Sequence, residues 1–328
     1  MRCISRAKSA ALVCVASISL FTGGCIGGKG ATPVTAYELK NYNQDLYQGK
    51  LYAEELCVAQ NDVALEGYTE DTELHSAALF DLTGERVLYS YKAHERLYPA
   101  STTKIMTALL AIENANLDDQ VTISGNADAS SFSADAQVCG LAKGEVWTLR
   151  DLLGALLLYS GNDAATAIAE YVGGSEEAFV NMMNRRAKEL MANGTHFMNP
   201  HGLHDDNHYT TAYDLYLIFN ECIKHEDFVN IIQSEAYTAY YTDVDGNSQE
   251  ALFTPTNLYA QGEVDVPENV TIVGGKTGTT DEAGYCLILM EKDSSDNPYI
   301  SIVMGASEKP VLYEDMTSLI EAIPSGQQ

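Results

Sequence analysis

The chain is short of positive charge. It has 19 lysines and arginines against 46 aspartates and glutamates, a formal net charge of −27 over 328 residues. That balance argues against nucleic acid or anionic lipid surfaces as partners, since both require a basic face. The acidic excess reads as a solvated surface. The seven cysteines include no Cys-x-x-Cys pair, so a thiolate metal site or a dithiol redox motif has no sequence support. Tryptophan occurs only at position 147, and Trp147 reads as a core residue rather than a ligand-stacking platform. The apolar run at residues 9–21 is too short to span a bilayer comfortably. No internal repeat is visible. What remains is a composition of 46% hydrophobic and 20% charged residues, which suits a globular protein with a substantial core and room for one large or two ordinary domains.

The first 25 residues do not read as fold. Arg2, Arg6 and Lys8 precede the apolar run, and small residues follow at Thr22-Gly-Gly-Cys25. This is the pattern of an export signal. Its Gly-Gly-Cys ending resembles a bacterial lipoprotein processing site, with Thr22 where leucine is usual. On that resemblance Cys25 is the lipid attachment residue, and the protein is expected at the outer face of the cell membrane. Cys3 and Cys14 leave with the signal. Cys57, Cys139, Cys222 and Cys286 remain, and export permits disulfides without four scattered cysteines requiring them.

Residues 26–73 read as a tether and spacer. Gly27, Gly28, Gly30 and Pro33 make its start flexible. Tyr37, Tyr42, Tyr47 and Tyr52 recur at a spacing that fits neither helix nor strand, and a helical patch over 46–59 is one reading of the rest. The folded domain is expected over 74–328, with no second domain after it. Residues 76–81 and 86–91 are β-rich runs, and Gly84 marks the turn of a hairpin. A helix is expected from about Ser101 to Ala115, a short strand over 118–124, and irregular chain over 125–146. Thr148 is an N-cap, with Asp151 three residues on, for an apolar helix that breaks at Ser160-Gly-Asn162. Further helices are expected over 163–172, 175–192 and 211–224. Strands follow over 271–279, 285–292 and 299–307, and a helix over 313–323 closes the chain. Strands at both ends with helices between them predict a mixed α+β (α/β) fold, an antiparallel sheet carrying an inserted helical subdomain.

Three short motifs carry chemistry. In Tyr98-Pro-Ala-Ser101-Thr-Thr-Lys104, the serine and the lysine are three apart, one helical turn. A serine hydroxyl is a weak nucleophile until a neighbouring base takes its proton, and Pro99 closes the preceding turn. The second motif is Ser160-Gly-Asn162, at a break between buried helices. The third is Lys276-Thr-Gly278, on a glycine-rich strand. Each has a decoy or a bland reading. Ser5 to Lys8 repeats the first inside the signal, Ser124 to Asn126 repeats the second, and Ser295-Asp-Asn297 lies in a turn. Order, spacing and setting single out one set.

That set resembles the signature of the penicillin-binding protein and serine β-lactamase superfamily, and the chain is similar to the low-molecular-mass D-alanyl-D-alanine carboxypeptidases over about residues 74–323. Supporting stretches are Ala78-Leu-Phe-Asp-Leu-Thr-Gly84, Asp151-Leu-Leu-Gly-Ala-Leu-Leu-Leu-Tyr-Ser-Gly-Asn-Asp-Ala-Ala165, Asn199-Pro-His-Gly-Leu203 and Thr210-Thr-Ala-Tyr-Asp214. The resemblance implies a β-lactamase/transpeptidase-like fold and a serine peptidase that removes the terminal D-alanine of peptidoglycan stem peptides, with β-lactams as covalent inhibitors and no cofactor. It casts Ser101 as nucleophile, Lys104 as base and Ser160 as proton relay. Asn162 would hold Lys104 and the substrate amide. Lys276 and Thr277 would bind the terminal carboxylate, and Gly278 would let substrate lie along the strand. The backbone N–H groups of Ser101 and Thr279 would form the oxyanion hole.

His196, His201, His204 and His208, with Asp205 and Asp206, also suggest a metal site. The stretch coincides with a loop of that family, so no metal is expected. In that family an arginine often follows the last strand; here the region reads Ser307-Glu-Lys309-Pro, leaving open whether Lys309 takes its part. Three alternatives stand beside carboxypeptidase action: D,D-endopeptidase action on cross-links, a β-lactamase, and a non-catalytic penicillin- or peptidoglycan-binding protein or sensor. The Glu-x-x-Leu-Asn loop that a class A β-lactamase adds is not found between Ser160 and Lys276.

Overall fold

The computed structural model describes residues 55–65 and 76–324. The expected signal, Cys25, the four spaced tyrosines and most of the expected spacer lie outside them. In chain order the elements are β1 (Ser76–Asp81), β2 (Arg86–Tyr91), a 3-10 turn (Ala100–Thr103), α1 (Lys104–Asn114), β3 (Gln120–Thr122), β4 (Val146–Thr148), α2 (Leu149–Gly154), α3 (Asn162–Gly173), α4 (Glu176–Glu189), α5 (Ala212–Cys222) and α6 (Glu226–Ile232). They continue with β5 (Tyr237–Thr242), β6 (Ser248–Phe253), α7 (Leu258–Gln261), β7 (Val270–Thr280), β8 (Gly284–Asp293), β9 (Pro298–Ala306) and α8 (Lys309–Glu321).

The main sheet runs β2-β1-β9-β8-β7, antiparallel at every pair. It joins the two ends of the chain through β1 and β9, as the layout of the sequence predicts. Its central strands are buried along β1 and through the middles of β8 and β9 because both faces are covered. Successive side chains alternate between faces. Ile288, Ile300 and Ile302 therefore join the core shared with α1 and α3, while Leu287, Leu289 and Val303 pack against Leu312, Met316 and Leu319 of α8. That helix starts four residues earlier than expected, because proline is tolerated in a first helical turn and Pro310 sits there.

Between β2 and β7 lies the helical subdomain. Its helix starts follow side-chain capping. The hydroxyls of Thr148, Ser175 and Thr211 accept the N–H groups of Asp151, Ala178 and Asp214, satisfying donors that the first turn leaves open. The insertion is not purely helical. A second antiparallel sheet, β3-β4-β5-β6, lies within it, and residues 225–270 carried no expectation of it. Trp147 is buried there, its ring stacked 4.2 Å from that of Tyr241, as expected of a core residue.

Two expectations change, and the hairpin turn at Gly84 is as expected but gains detail. Residues 55–65 do not form a free spacer: Cys57 is fully buried, donates its N–H to the Tyr216 hydroxyl at 2.9 Å, and Val63 bridges Ser90. The reason is the apolar character of Cys57 and Ala59, which pack on the domain. Residues 55–59 of the expected helical patch are not helical. In the β1–β2 turn the left-handed residue is Glu85 (φ 51°), while Gly84 serves by its small size, donating its N–H to the Asp81 carboxylate at 2.8 Å. Among the described residues no helix is long and apolar enough to cross a membrane. Cys57, Cys139, Cys222 and Cys286 are all free thiols.

Candidate active site

Ser101 sits in the 3-10 turn that precedes α1, so the α-helix proper begins at Lys104. The turn is held by the Thr102 hydroxyl donating to the Pro99 carbonyl at 2.7 Å. Ala100, just before the serine, has φ 47°. A non-glycine residue in the left-handed region stores strain that its surroundings must hold in place. One of those surroundings is Gly202, at φ 90°, where an added Cβ would fall 1.8 Å from the Ala100 carbonyl oxygen. The Asn199-Pro-His-Gly-Leu203 loop thus closes directly on the nucleophile turn.

Lys104 is fully buried. Its Nζ lies 2.9 Å from Ser101 Oγ, 2.7 Å from Asn162 Oδ1 and 2.6 Å from the His201 carbonyl oxygen. An ammonium would donate to all three. A neutral amine would give its two N–H groups to the two carbonyl-type oxygens and turn its lone pair to the Ser101 hydroxyl, the orientation a base requires. Burial, and next the Lys276 charge, hold Lys104 well below the usual lysine range, while Cys139 and Asp163 oppose the shift.

Ser160 and Asn162 arrive from the next break. After α2 the helix widens into a π-turn (Ala155–Tyr159) and ends at Ser160, at φ 70°. Such widened turns are frequent at functional sites. Ser160 Oγ accepts a hydrogen bond from Lys276 Nζ at 2.9 Å. Lys276 lies on β7, the edge strand of the main sheet, and is 1% exposed. It also donates to the Thr277 carbonyl at 2.8 Å, and burial pushes it down to about 7. Gly278 is where β7 meets the nucleophile turn: an added Cβ would stand 2.9 Å from the Pro99 carbonyl oxygen and 3.1 Å from Ser101 N. Ser101, Ser160, Asn162, Thr277, Gly278 and Thr279 all line one cleft of about 620 Å³. Lys104 and Lys276 lie beneath its floor.

The structure adds groups that the motifs did not name. Thr256, following β6, pairs its hydroxyl with that of Thr277 at 2.5 Å, and no local pattern marked it. Lys309 also lines the cleft, which places the one cation of the Ser307-Glu-Lys309-Pro stretch within reach of a ligand. The histidines diverge. His208 Nε2 pairs with the Thr103 hydroxyl at 2.8 Å, His196 Nδ1 with the Asn207 carbonyl at 2.7 Å, and His204 stands against Asp206 at 3.3 Å. Burial pushes His208 down to about 4 and, with the Lys104 charge as the next cause, His201 down to about 3. Among the described residues, Glu113, Glu221 and His225 come close enough to share an ion, and the Arg186 guanidinium already bonds both glutamates, at 2.7 and 3.2 Å.

The chain is similar to known proteins in sequence and in fold. A family model described as D-alanyl-D-alanine carboxypeptidase matches residues 64–308. The D-alanyl-D-alanine carboxypeptidase DacF of Bacillus subtilis (strain 168) is 35% identical over 254 residues, 76% of this chain and 61% of that protein. The D-alanyl-D-alanine carboxypeptidase of Streptomyces sp. (strain K15) is 32% identical over 241 residues, 71% of this chain and 81% of that one. The chain spans about three fifths of the length of its curated relatives in Bacillus subtilis and Escherichia coli. The crystal structure of the Streptomyces K15 DD-transpeptidase superposes with a TM-score of 0.71 at 28% identity, over 78% of this chain and 98% of that one. Penicillin binding protein 5 from Haemophilus influenzae gives 0.67 at 27% identity, over 78% and 72%. The fold is therefore the β-lactamase/transpeptidase-like one that the motifs implied, and by the match across residues 64–308 this chain belongs to the D-alanyl-D-alanine carboxypeptidase family.

Proposed function

We propose that the chain is a serine-type D-alanyl-D-alanine carboxypeptidase that removes the last residue of peptidoglycan stem pentapeptides through an acyl-enzyme and is blocked by β-lactams. The observation that carries this reading is Lys104, buried, bonded to the Asn162 and His201 oxygens and not to a carboxylate, and 2.9 Å from Ser101 Oγ. Neutral Lys104 takes the Ser101 proton as Oγ bonds to the carbonyl carbon between the two D-alanines. The oxyanion is met by the backbone N–H groups of Ser101 and Thr279, one such donor being worth about 3 kcal/mol in the transition state. As the C–N bond breaks, Ser160 passes its proton to the leaving amine and takes the one held by Lys104, which returns to the neutral amine. Water then attacks the ester and gives a proton to Lys104, which hands it to the Ser101 oxygen as the ester C–O bond breaks.

Asn162, its Oδ1 committed to Lys104, offers its Nδ2 to the substrate amide. Lys276, Thr277 and Lys309 hold the terminal carboxylate, and the free edge of β7 takes the peptide as an added strand. Residues 1–25 act as an export signal, with Cys25 lipidated to anchor the domain outside the membrane.

Fluorescent penicillin should label the purified protein covalently, and Ser101→Ala should reduce labelling by on the order of 10⁶-fold, the loss typical of a missing serine nucleophile. Undiminished labelling of that variant would sink the nucleophile assignment. D-alanine release from a pentapeptide, measured beside a cross-linked dimer, separates carboxypeptidase from endopeptidase action; binding with no release from either makes the protein a sensor. A Cys25→Ser variant should leave the membrane fraction, and an unchanged distribution would count against the anchor.

A further inference from the structure

One wall of the cleft is a loop with no regular structure. Ser133, Asp135, Ala136 and Gln137 line the opening from it. Such a segment holds a position only through specific bonds, and these converge on one side chain. Asp163, in the first turn of α3, is 0% exposed. Its Oδ1 accepts the N–H of Cys139 at 2.9 Å and its own helix's Ala164 N–H at 2.9 Å. Its Oδ2 accepts the N–H groups of Gly140 at 2.9 Å and Leu141 at 3.0 Å. Three consecutive loop amides thus end on a single carboxylate.

The adjoining contacts tie the same loop to the catalytic turn. The Asn162 N–H donates to the Gln137 carbonyl at 2.8 Å, and Gln137 Nε2 reaches the Tyr159 carbonyl at 3.3 Å. At Gly161 the two segments touch so closely that an added Cβ would lie 2.0 Å from Cys139 Sγ. Asn162, next to Asp163 in the chain, is the residue that accepts from Lys104.

We propose that Asp163 is a positioning residue that clamps the 133–141 wall of the cleft to the Ser160–Asn162 turn, and through that turn sets the place of Lys104 beside Ser101. The inference rests on the acyl-enzyme reading above. Without the carboxylate, the Cys139, Gly140 and Leu141 amides lose their acceptor in a buried place, the wall separates from the turn, and the Lys104–Asn162 bond loses its support. The charged and titratable groups facing Lys104 are Lys276 from β7, Cys139 from the loop, Asp163 from α3, and His201 and His208 from the 196–208 segment. Of these, Lys276 disfavours the Lys104 ammonium and Asp163 favours it.

The test is the rate of acylation by fluorescent penicillin, followed against pH in the full protein and in Asp163→Asn. The variant should acylate about 10²-fold more slowly at the wild-type optimum, the order of loss that a 1 Å misplacement brings. The acidic limb of its profile should move to lower pH, because a charge that favours the Lys104 ammonium is gone. A purely structural role would lower thermal stability and leave that limb in place. Wild-type rate with a wild-type limb overturns the proposal. Where the variant fails to fold, amide hydrogen exchange in the wild-type protein decides. The amides of Cys139, Gly140 and Leu141 should exchange far more slowly than those of residues 133–136, and equal rates reject the clamp. Wild-type protein that takes no label refutes the catalytic reading instead, and the exchange measurement still judges the clamp.

Discussion

The two faces of the main sheet both bury titratable groups, with opposite consequences. On the face toward the helices, Lys276 pairs in register with Ile288 and lies 1% exposed. On the other face, Glu291, two residues from Leu289, is 0% exposed beneath α8, with Ser301, also fully buried, beside it. Burial moves each group toward its neutral form: Lys104 and Lys276 fall, and Glu291 rises well above the usual carboxylate range. The surroundings differ. The lysines reach hydroxyls and carbonyls of three separate segments and sit against a cleft. The oxygens of Glu291 make no hydrogen bond of full geometry among the described residues, and the Ser301 hydroxyl lies alongside it on a face of the sheet otherwise lined by Leu287, Leu289 and Val303. A shifted group becomes a site only where polar partners converge on a space that a ligand can enter.

The contrast breaks most sharply at Lys104. Lys104→Ala should cost about 10²–10⁴-fold in penicillin acylation, the span of general base catalysis, and a variant with near-normal acylation would mean that Ser101 is activated by another group. A smaller effect sharpens the reading of Lys276. Its ammonium is present below about 7 and lost above it in the free protein. Recognition of a carboxylate-ended peptide should therefore weaken as pH rises through that value, giving kcat/KM a basic limb near 7. Bound carboxylate favours the ammonium, so the limb of kcat should lie higher. Coincident limbs would remove Lys276 from carboxylate binding. The smallest effect belongs to the far face. Glu291→Gln should leave acylation unchanged and raise the melting temperature at neutral pH by roughly 2–4 °C, the change that 1 kcal/mol brings to a domain of this size. The sign follows from linkage. The folded state holds the Glu291 proton above the pH at which the unfolded chain releases it, so stability falls as pH rises between those two values, and glutamine removes that fall. A loss of acylation would show that the two faces are coupled.

Much of the site was legible because its chemistry is encoded in short spans. Ser101 and Lys104 are one helical turn apart, and Ser160 and Asn162 flank a helix break, so local spacing already implies shared faces. The β1–β2 hairpin, the capped helices and the three C-terminal strands were legible for the same reason: capping and alternation act over a few residues. The missed features depend on contacts between distant segments. Thr256 meets Thr277 across 21 residues, the His201 carbonyl meets Lys104 across 97, and the Asp163 carboxylate gathers amides 22 to 24 residues away. Strands β5 and β6 have mostly exposed or half-buried side chains, so no apolar alternation announced them.

The sequence by itself determined the nucleophile turn, the helix break and the lysine strand, because each is set by residues within one turn or one strand. Tertiary structure alone decided that these three pieces, 59 and 116 residues apart in the chain, face one cleft with two lysines beneath it. Only packing around Lys104 and Lys276 excludes enough water to lower both, and only the fold brings Asp163 and the His201 carbonyl to hold the lysine where a serine proton can reach it.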